Sequence, residues 1–241
     1  MDRVRSLWLT DPGARLPPTA PDATLLDLTT VTADYERARQ SVAALIAANH
    51  RLYLQVHPVA SQQVRSDLLA CLLPGAYGVS LPGLLSATQL RYVDSMLEEV
   101  EARAGIPVGW TALGGWIASA RALMDAPAIA RASHRLTWLG VDGHALLTEL
   151  GLQKGAEEAL TYPRALVAFA AQAAGLPAVD GLEPPSQRKA AARRRAEGAA
   201  AQQARALGLR GKLTHDLKVA AAFDEIFPTA GEPILPPREP Q

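Results

Sequence analysis

Cysteine is almost missing from this chain. Cys71 is the only one in 241 residues. An intrachain disulfide is therefore excluded, and so is any all-cysteine metal cluster. Net charge is missing too, because 24 Lys+Arg offset 24 Asp+Glu. That balance removes a global electrostatic pull toward nucleic acid, membranes or acidic partners. No apolar run approaches the roughly 18–20 residues that a membrane span needs. The opening Met1-Asp2-Arg3-Val4-Arg5-Ser6-Leu7-Trp8 lacks the apolar stretch of a secretory leader. Gly-x-Gly-x-x-Gly, phosphate-loop and Gly-x-Ser-x-Gly motifs do not occur, and no fixed-period repeat is visible. The expectation is a reduced, cytoplasmic protein with neither membrane nor nucleic-acid partners. What is present is an ordinary globular balance, 49% hydrophobic and 20% charged.

Short apolar runs alternate with longer helical patterns. The runs are Val4–Thr10, Thr24–Leu28, Arg51–His57, Gly78–Leu81, Ile106–Thr111 and Leu136–Val141, with weaker ones at Leu176–Asp180 and Gly211–His215. Most are apolar on both alternations, as strands covered on both faces are. Helical periodicity marks Ala33–Asn49, Ala87–Ala104, Glu157–Ala174, Gln187–Leu207 and Asp216–Phe227. Ser86-Ala87-Thr88-Gln89 reads as a capping box, and Gly105 before Ile106-Pro107 as a stop. Up to eight strand–helix units predict a single-domain (β/α)8 TIM-type barrel over residues 1–235, with an open doubly wound sheet as competitor. Residues 236–241 read as a flexible Pro-rich tail.

Several segments, in order, resemble the citrate lyase beta subunit-like proteins of the HpcH/HpaI aldolase superfamily. They are Arg5-Ser6-Leu7-Trp8-Leu9, Leu26-Asp27-Leu28, Tyr77-Gly78-Val79-Ser80-Leu81-Pro82 and Ala173-Ala174-Gly175-Leu176-Pro177. The closest is Ala206-Leu207-Gly208-Leu209-Arg210-Gly211-Lys212-Leu213-Thr214-His215. The resemblance implies a β/α barrel, usually oligomeric, with carbon–carbon lyase chemistry on an acyl-CoA or a 2-oxo acid. It also implies a divalent cation acting as a Lewis acid, held by carboxylates at strand ends.

The carry-over fails at several of those positions. After Leu26-Asp27-Leu28 the family has further acids, and this chain has Thr29 and Thr30. The family's strand-three Arg falls on Gln55 of Gln55-Val56-His57-Pro58, and its Lys after strand four on Gly83. Its metal-binding Glu falls on Thr111, and its second ligand, an Asp, on Gly143, with Asp142 beside it. The candidate pocket is thus Asp27, Gln55, His57, Thr111 and Asp142. No metal is expected, and if one binds, Asp142 and Asp27 are its ligands. Two functions follow. One is a degenerate barrel that has lost metal-dependent lyase chemistry and serves as a binding or regulatory partner. The other is a divergent magnesium-dependent lyase with a site rebuilt around Asp27 and Asp142. Either version would be a homo-oligomer with an acyl-CoA or small carboxylate ligand.

The remaining candidates have plainer readings beside the functional ones. Asp27 is either a site carboxylate or a cap for local N–H groups. His57 and His144 could meet in one pocket or simply be loop histidines, and His215 follows the last strand. Trp8, Trp110 and Trp138 are read as packing outward or into the core. If Trp110 and Trp138 turn inward, they shrink the pocket. Arg188-Lys189 and Arg193-Arg194-Arg195 form either an anion patch or a solvated helix face. Cys71, within Leu68-Leu69-Ala70-Cys71-Leu72-Leu73, is read as a buried inert thiol.

Overall fold

A computed structural model describes residues 4–15, 20–32, 35–152, 156–182 and 189–227. Eight parallel strands close on themselves in sequence order. They are β1 Ser6–Thr10, β2 Ala23–Asp27, β3 Leu52–Gln55, β4 Gly78–Leu84, β5 Ala112–Ile117, β6 Leu136–Val141, β7 Ala178–Asp180 and β8 Gly211–Thr214. The helices are α1 Glu36–Ala47, α2 Gln63–Cys71, α3 Ala87–Ala104, α4 Ala120–Ile129, α5 Gly143–Glu149, α6 Thr161–Ala173, α7 Ala190–Ala206 and α8 Leu217–Ile226. A short 3-10 turn, Glu157–Leu160, leads into α6. Among the described residues no helix is long and apolar enough to cross a membrane. The tail 236–241 lies outside the described residues.

Strand alternation divides the core in two. Leu7, Leu25, Tyr53, Trp116, Trp138, Val179 and Leu213 belong to the cluster that fills the barrel. Their neighbours Leu26, Leu54, Val79, Leu113 and Leu139 join the layer shared with the helices. Helix α3 shows why its segment was legible. Leu90, Val93, Leu97 and Val100 recur on one buried face. The Ser86 side chain accepts from the Gln89 N–H at 3.3 Å, and Gly105 ends the helix in the left-handed region at φ 70°. The reciprocal half of the capping box differs from expectation. Gln89 Oε1 takes the N–H of Leu85 at 2.8 Å, one residue earlier than Ser86.

One strand expectation is corrected. Residues 106–111 are not a strand; Trp110 N–H turns back to Pro107 O at 3.1 Å. The strand is the next segment, Ala112–Ile117. Gly114 and Gly115 hid it, because glycine has poor strand propensity. The barrel needs them: a Cβ at Gly114 would overlap the Trp138 indole, and one at Gly140 would overlap Trp116. Helices α2, α4 and α5 also went unmarked by periodicity alone.

Among the described residues, buried charge falls in paired networks. Arg135 forks onto Glu101, Nη1 to Oε1 at 2.7 Å and Nη2 to Oε2 at 2.9 Å. Glu101 also takes the N–H groups of Gly109 and Thr111. Between the sheet and α6, Asp180 holds Arg164 at 2.9 and 3.0 Å and Lys212 Nζ at 2.6 Å. Burial pushes the Asp180 carboxyl up, but the Lys212 and Arg164 charges outweigh it and hold it below the usual carboxylate range.

Candidate functional site

In a parallel barrel the strand C-termini converge on one rim, where sites of this fold are built. Asp27 and Gln55 are the last residues of β2 and β3 and pair directly in register. Both are half-buried. The Asp27 carboxylate is engaged locally: Oδ1 accepts the Thr29 N–H at 2.9 Å and the Thr29 hydroxyl at 2.7 Å. It therefore caps its own turn.

Asp142 follows β6 on the same rim and caps α5, its Oδ1 accepting the Ala145 N–H at 3.0 Å. Its own N–H donates to Ile117 O at 2.8 Å, which sets it beside Ala118 at the end of β5. A Cβ at Gly143 would sit 2.6 Å from Leu160 Cδ1, so a side chain there would have to displace Leu160.

Thr111 does not join this rim. It immediately precedes β5, so it lies at the opposite, N-terminal end of the barrel, buried beside Glu101. The shift of β5 along the chain is the reason. Where Thr111 was expected, the rim presents Ala118 and Ser119, and the Ser119 side chain caps α4 by accepting the Ala122 N–H at 3.2 Å.

His57 is buried just beyond β3 in a network that the sequence did not suggest. Its backbone N–H and its Nδ1 meet Asp67 Oδ2 at 2.7 and 2.8 Å. Asp67, fully buried on α2, also accepts the Tyr35 hydroxyl at 2.8 Å. A ring Nδ1–H donated to the carboxylate leaves Nε2 as an acceptor. The partners are far apart in sequence, so no local motif marks them. His144 is exposed on α5, apart from this network. His215 sits at the end of β8, its Nδ1 3.2 Å from Leu9 O.

Below the rim the barrel is filled. Trp116 and Trp138 pack edge to face with centroids 4.9 Å apart, and Tyr53 lies 5.9 Å from Trp138. Trp116 Nε1 donates to Ser80 Oγ at 3.0 Å. Trp116 was not singled out from the sequence, because it falls in the strand that was missed. Trp138 turns inward, whereas Trp110 is 52% exposed at the other end. Trp8 points to the helix layer, and its Nε1 donates to His215 O at 3.3 Å.

Two of the described arginines of α7, Arg193 and Arg194, are engaged in ion pairs. Arg194 Nε lies 2.7 Å from Asp216 Oδ2, and Arg193 reaches Asp216 and Glu197 at 3.6 Å. Arg188 lies outside the described residues. Cys71 is buried, and burial together with the Asp67 charge pushes its thiol up to about 11.

A hard cation asks for several oxygen ligands carrying negative charge. Of the candidate residues, Asp27 and Asp142 are the carboxylates on the rim, each with Oδ1 bonded to a local N–H group, flanked by Gln55 and Ala118. Among the described residues no three His, Cys, Asp or Glu side chains gather as a metal site. The candidate residues, two carboxylates beside a neutral amide, therefore do not by themselves fit a magnesium centre.

The closed barrel of eight parallel strands with its helices defines the class, a TIM-type (β/α)8 protein. The family model described as HpcH/HpaI aldolase/citrate lyase matches residues 14–216. The chain belongs to that family. It is 34% identical over 237 residues to a citrate lyase subunit beta-like protein of Deinococcus radiodurans, covering 91% of this chain and 76% of that one. Among solved structures, RipC from Yersinia pestis superposes with a TM-score of 0.73 at 20% identity, covering 95% of this chain and 97% of that one. The citrate lyase beta subunit of M. tuberculosis, complexed with oxaloacetate and magnesium, gives 0.67 at 16% identity, covering 93% and 97%. These structural likenesses establish the fold alone.

Proposed function

We propose that this chain is a citrate lyase beta-like barrel without metal-dependent lyase chemistry, acting as a binding or regulatory member of its family. The observation that carries the reading is the rim itself. Asp27 is occupied by Thr29, Asp142 caps α5, and the β5 end between β4 and Asp142 bears Ala118. A neutral methyl cannot replace a ligand to a hard cation, and Gln55 carries no charge to stabilise an anionic substrate. The indoles of Trp116 and Trp138 raise the barrel floor and favour a shallow carboxylate or acyl-CoA ligand over a deep one.

Calorimetry with magnesium, then with a citryl thioester, tests this. The expected result is weak magnesium binding, no thioester cleavage, and ligand binding that does not depend on magnesium. Tight magnesium binding that vanishes in Asp142→Ala would overturn it. The second reading, a rebuilt magnesium-dependent lyase, draws its support from Asp27 and Asp142 sharing one rim. That same titration decides between the two.

A further inference from the structure

Between β1 and β2 the chain departs from the alternation of strand and helix. In a (β/α)8 barrel a helix follows each strand. Residues 11–22 join β1 to β2, and no described residue among them is helical. The outer face of these two strands therefore has no helix of its own. Beside it lies a cleft of about 350 Å³, at the small end of the range for ligand pockets. Trp8 and Leu26 reach it from the strands and Leu45 from α1. Arg37, Gln40 and Ala44, on one face of α1, stay exposed along its side. Gly13 ties the loop after β1 to that helix, its N–H donating to Ser41 Oγ at 2.8 Å. Its φ of 84° is left-handed, and a Cβ there would overlap the Arg37 guanidinium. Glycine thus lets Arg37 lie across the loop.

Two opposite charges, Asp11 and Arg37, line this one cleft. Among the described residues neither side chain has a hydrogen-bond or ion-pair partner, and the two do not bridge to each other. That arrangement selects the ligand. An anion would meet Asp11 and a cation would meet Arg37, whereas a zwitterion is complementary to both. The apolar floor of Trp8, Leu26 and Leu45 asks for an apolar group beside the two charges. The size suits a single amino acid rather than a peptide or an acyl-CoA. We propose that the cleft binds a free α-amino acid with an apolar side chain. Its carboxylate is held by the fork of the Arg37 guanidinium, its ammonium by Asp11, and its side chain by Trp8 and Leu26. The cleft opens on the outer face of the barrel wall, apart from the rim, so the proposal does not depend on the chemistry of the rim.

Calorimetry on the full chain tests it with L-leucine and L-phenylalanine. Each is compared with the deamino acid and with the decarboxylated amine of the same side chain. At least one amino acid should bind, roughly tenfold or more tightly than either analogue, as loss of a charge-assisted hydrogen bond dictates. Arg37→Gln and Asp11→Asn should each weaken the amino acid by a similar factor. Asp11→Asn should also bind the deamino acid more tightly than the parent does, because the repulsion is gone. A misfolded variant cannot produce that gain. Absence of binding by both amino acids at millimolar concentration would overturn the proposal. So would equal affinity for an amino acid and its deamino analogue, an amino-acid affinity unchanged in Arg37→Gln, or no gain for the deamino acid in Asp11→Asn.

Discussion

Gly114 is the socket for Trp138. A Cβ added at Gly114 would overlap the six-membered ring of that indole. The two residues are register neighbours on β5 and β6. Gly114→Ala should destabilise the barrel by about 1–3 kcal/mol, the usual penalty of overpacking. Trp138→Leu frees the space, so Gly114→Ala should cost less in its presence. Urea unfolding of the four variants checks this, and strict additivity would contradict the socket.

Ala118 and Asp142 stand side by side at the rim, because Asp142 N–H bonds the residue before Ala118. Ala118→Glu places a second carboxylate next to Asp142. It should introduce a magnesium-dependent rise in Tm that Ala118→Gln lacks, since a cation that binds only the native state stabilises it. Equal responses in the two variants would show that charge at this position is not what the site is missing.

Asp180 is buried with Arg164 and Lys212, and its carboxyl is held below the usual range. A depressed carboxylate contributes stability that is complete above its unfolded value of about 3.9 and is lost as pH falls through the folded value. Asp180→Asn removes the carboxylate charge that faces two buried cations, Arg164 and Lys212. The variant should lose about 3–5 kcal/mol at neutral pH. Its acid-unfolding limb should also be flatter than that of the parent. An unchanged acid limb, followed by tryptophan fluorescence, would remove Asp180 from the pH dependence.

Asp67 binds His57 and Tyr35 and helps to raise the Cys71 thiol to about 11. Native protein at pH 8 should react with a thiol reagent only slowly, and fully in denaturant. Asp67→Asn should cost about 1.5–3 kcal/mol, the worth of hydrogen bonds to a charged group. Rapid labelling of the native chain would refute the buried, protonated thiol.

Among the described residues, the fold was legible because it rests on periodicity. Leu136–Val141 reads as a strand from composition, and Ala87–Ala104 as a helix from the spacing of Leu90, Val93, Leu97 and Val100. The family followed from segments lying near strand ends, where chain order preserves their spacing. The site was legible in part. Asp27, Gln55 and Asp142 could be placed on one rim because Asp27 and Gln55 lie toward the end of a recognisable apolar run and Asp142 directly follows one.

Thr111 could not be placed correctly, because two glycines that make room for side chains disguised β5 as a loop. Their partners, Trp138 for Gly114 and Leu84 for Gly115, come from other strands. The Asp67–His57–Tyr35 network spans three elements, and the Asp180 network joins residues from α6, β7 and β8. Sequence by itself determined the alternation of elements, and with it the barrel and the family. Only the tertiary structure decided which residues share a rim, which indoles close the interior and which charges are buried in pairs. Local propensity acts between neighbours along the chain, whereas those three outcomes depend on steric fit and electrostatics between residues that only folding brings together.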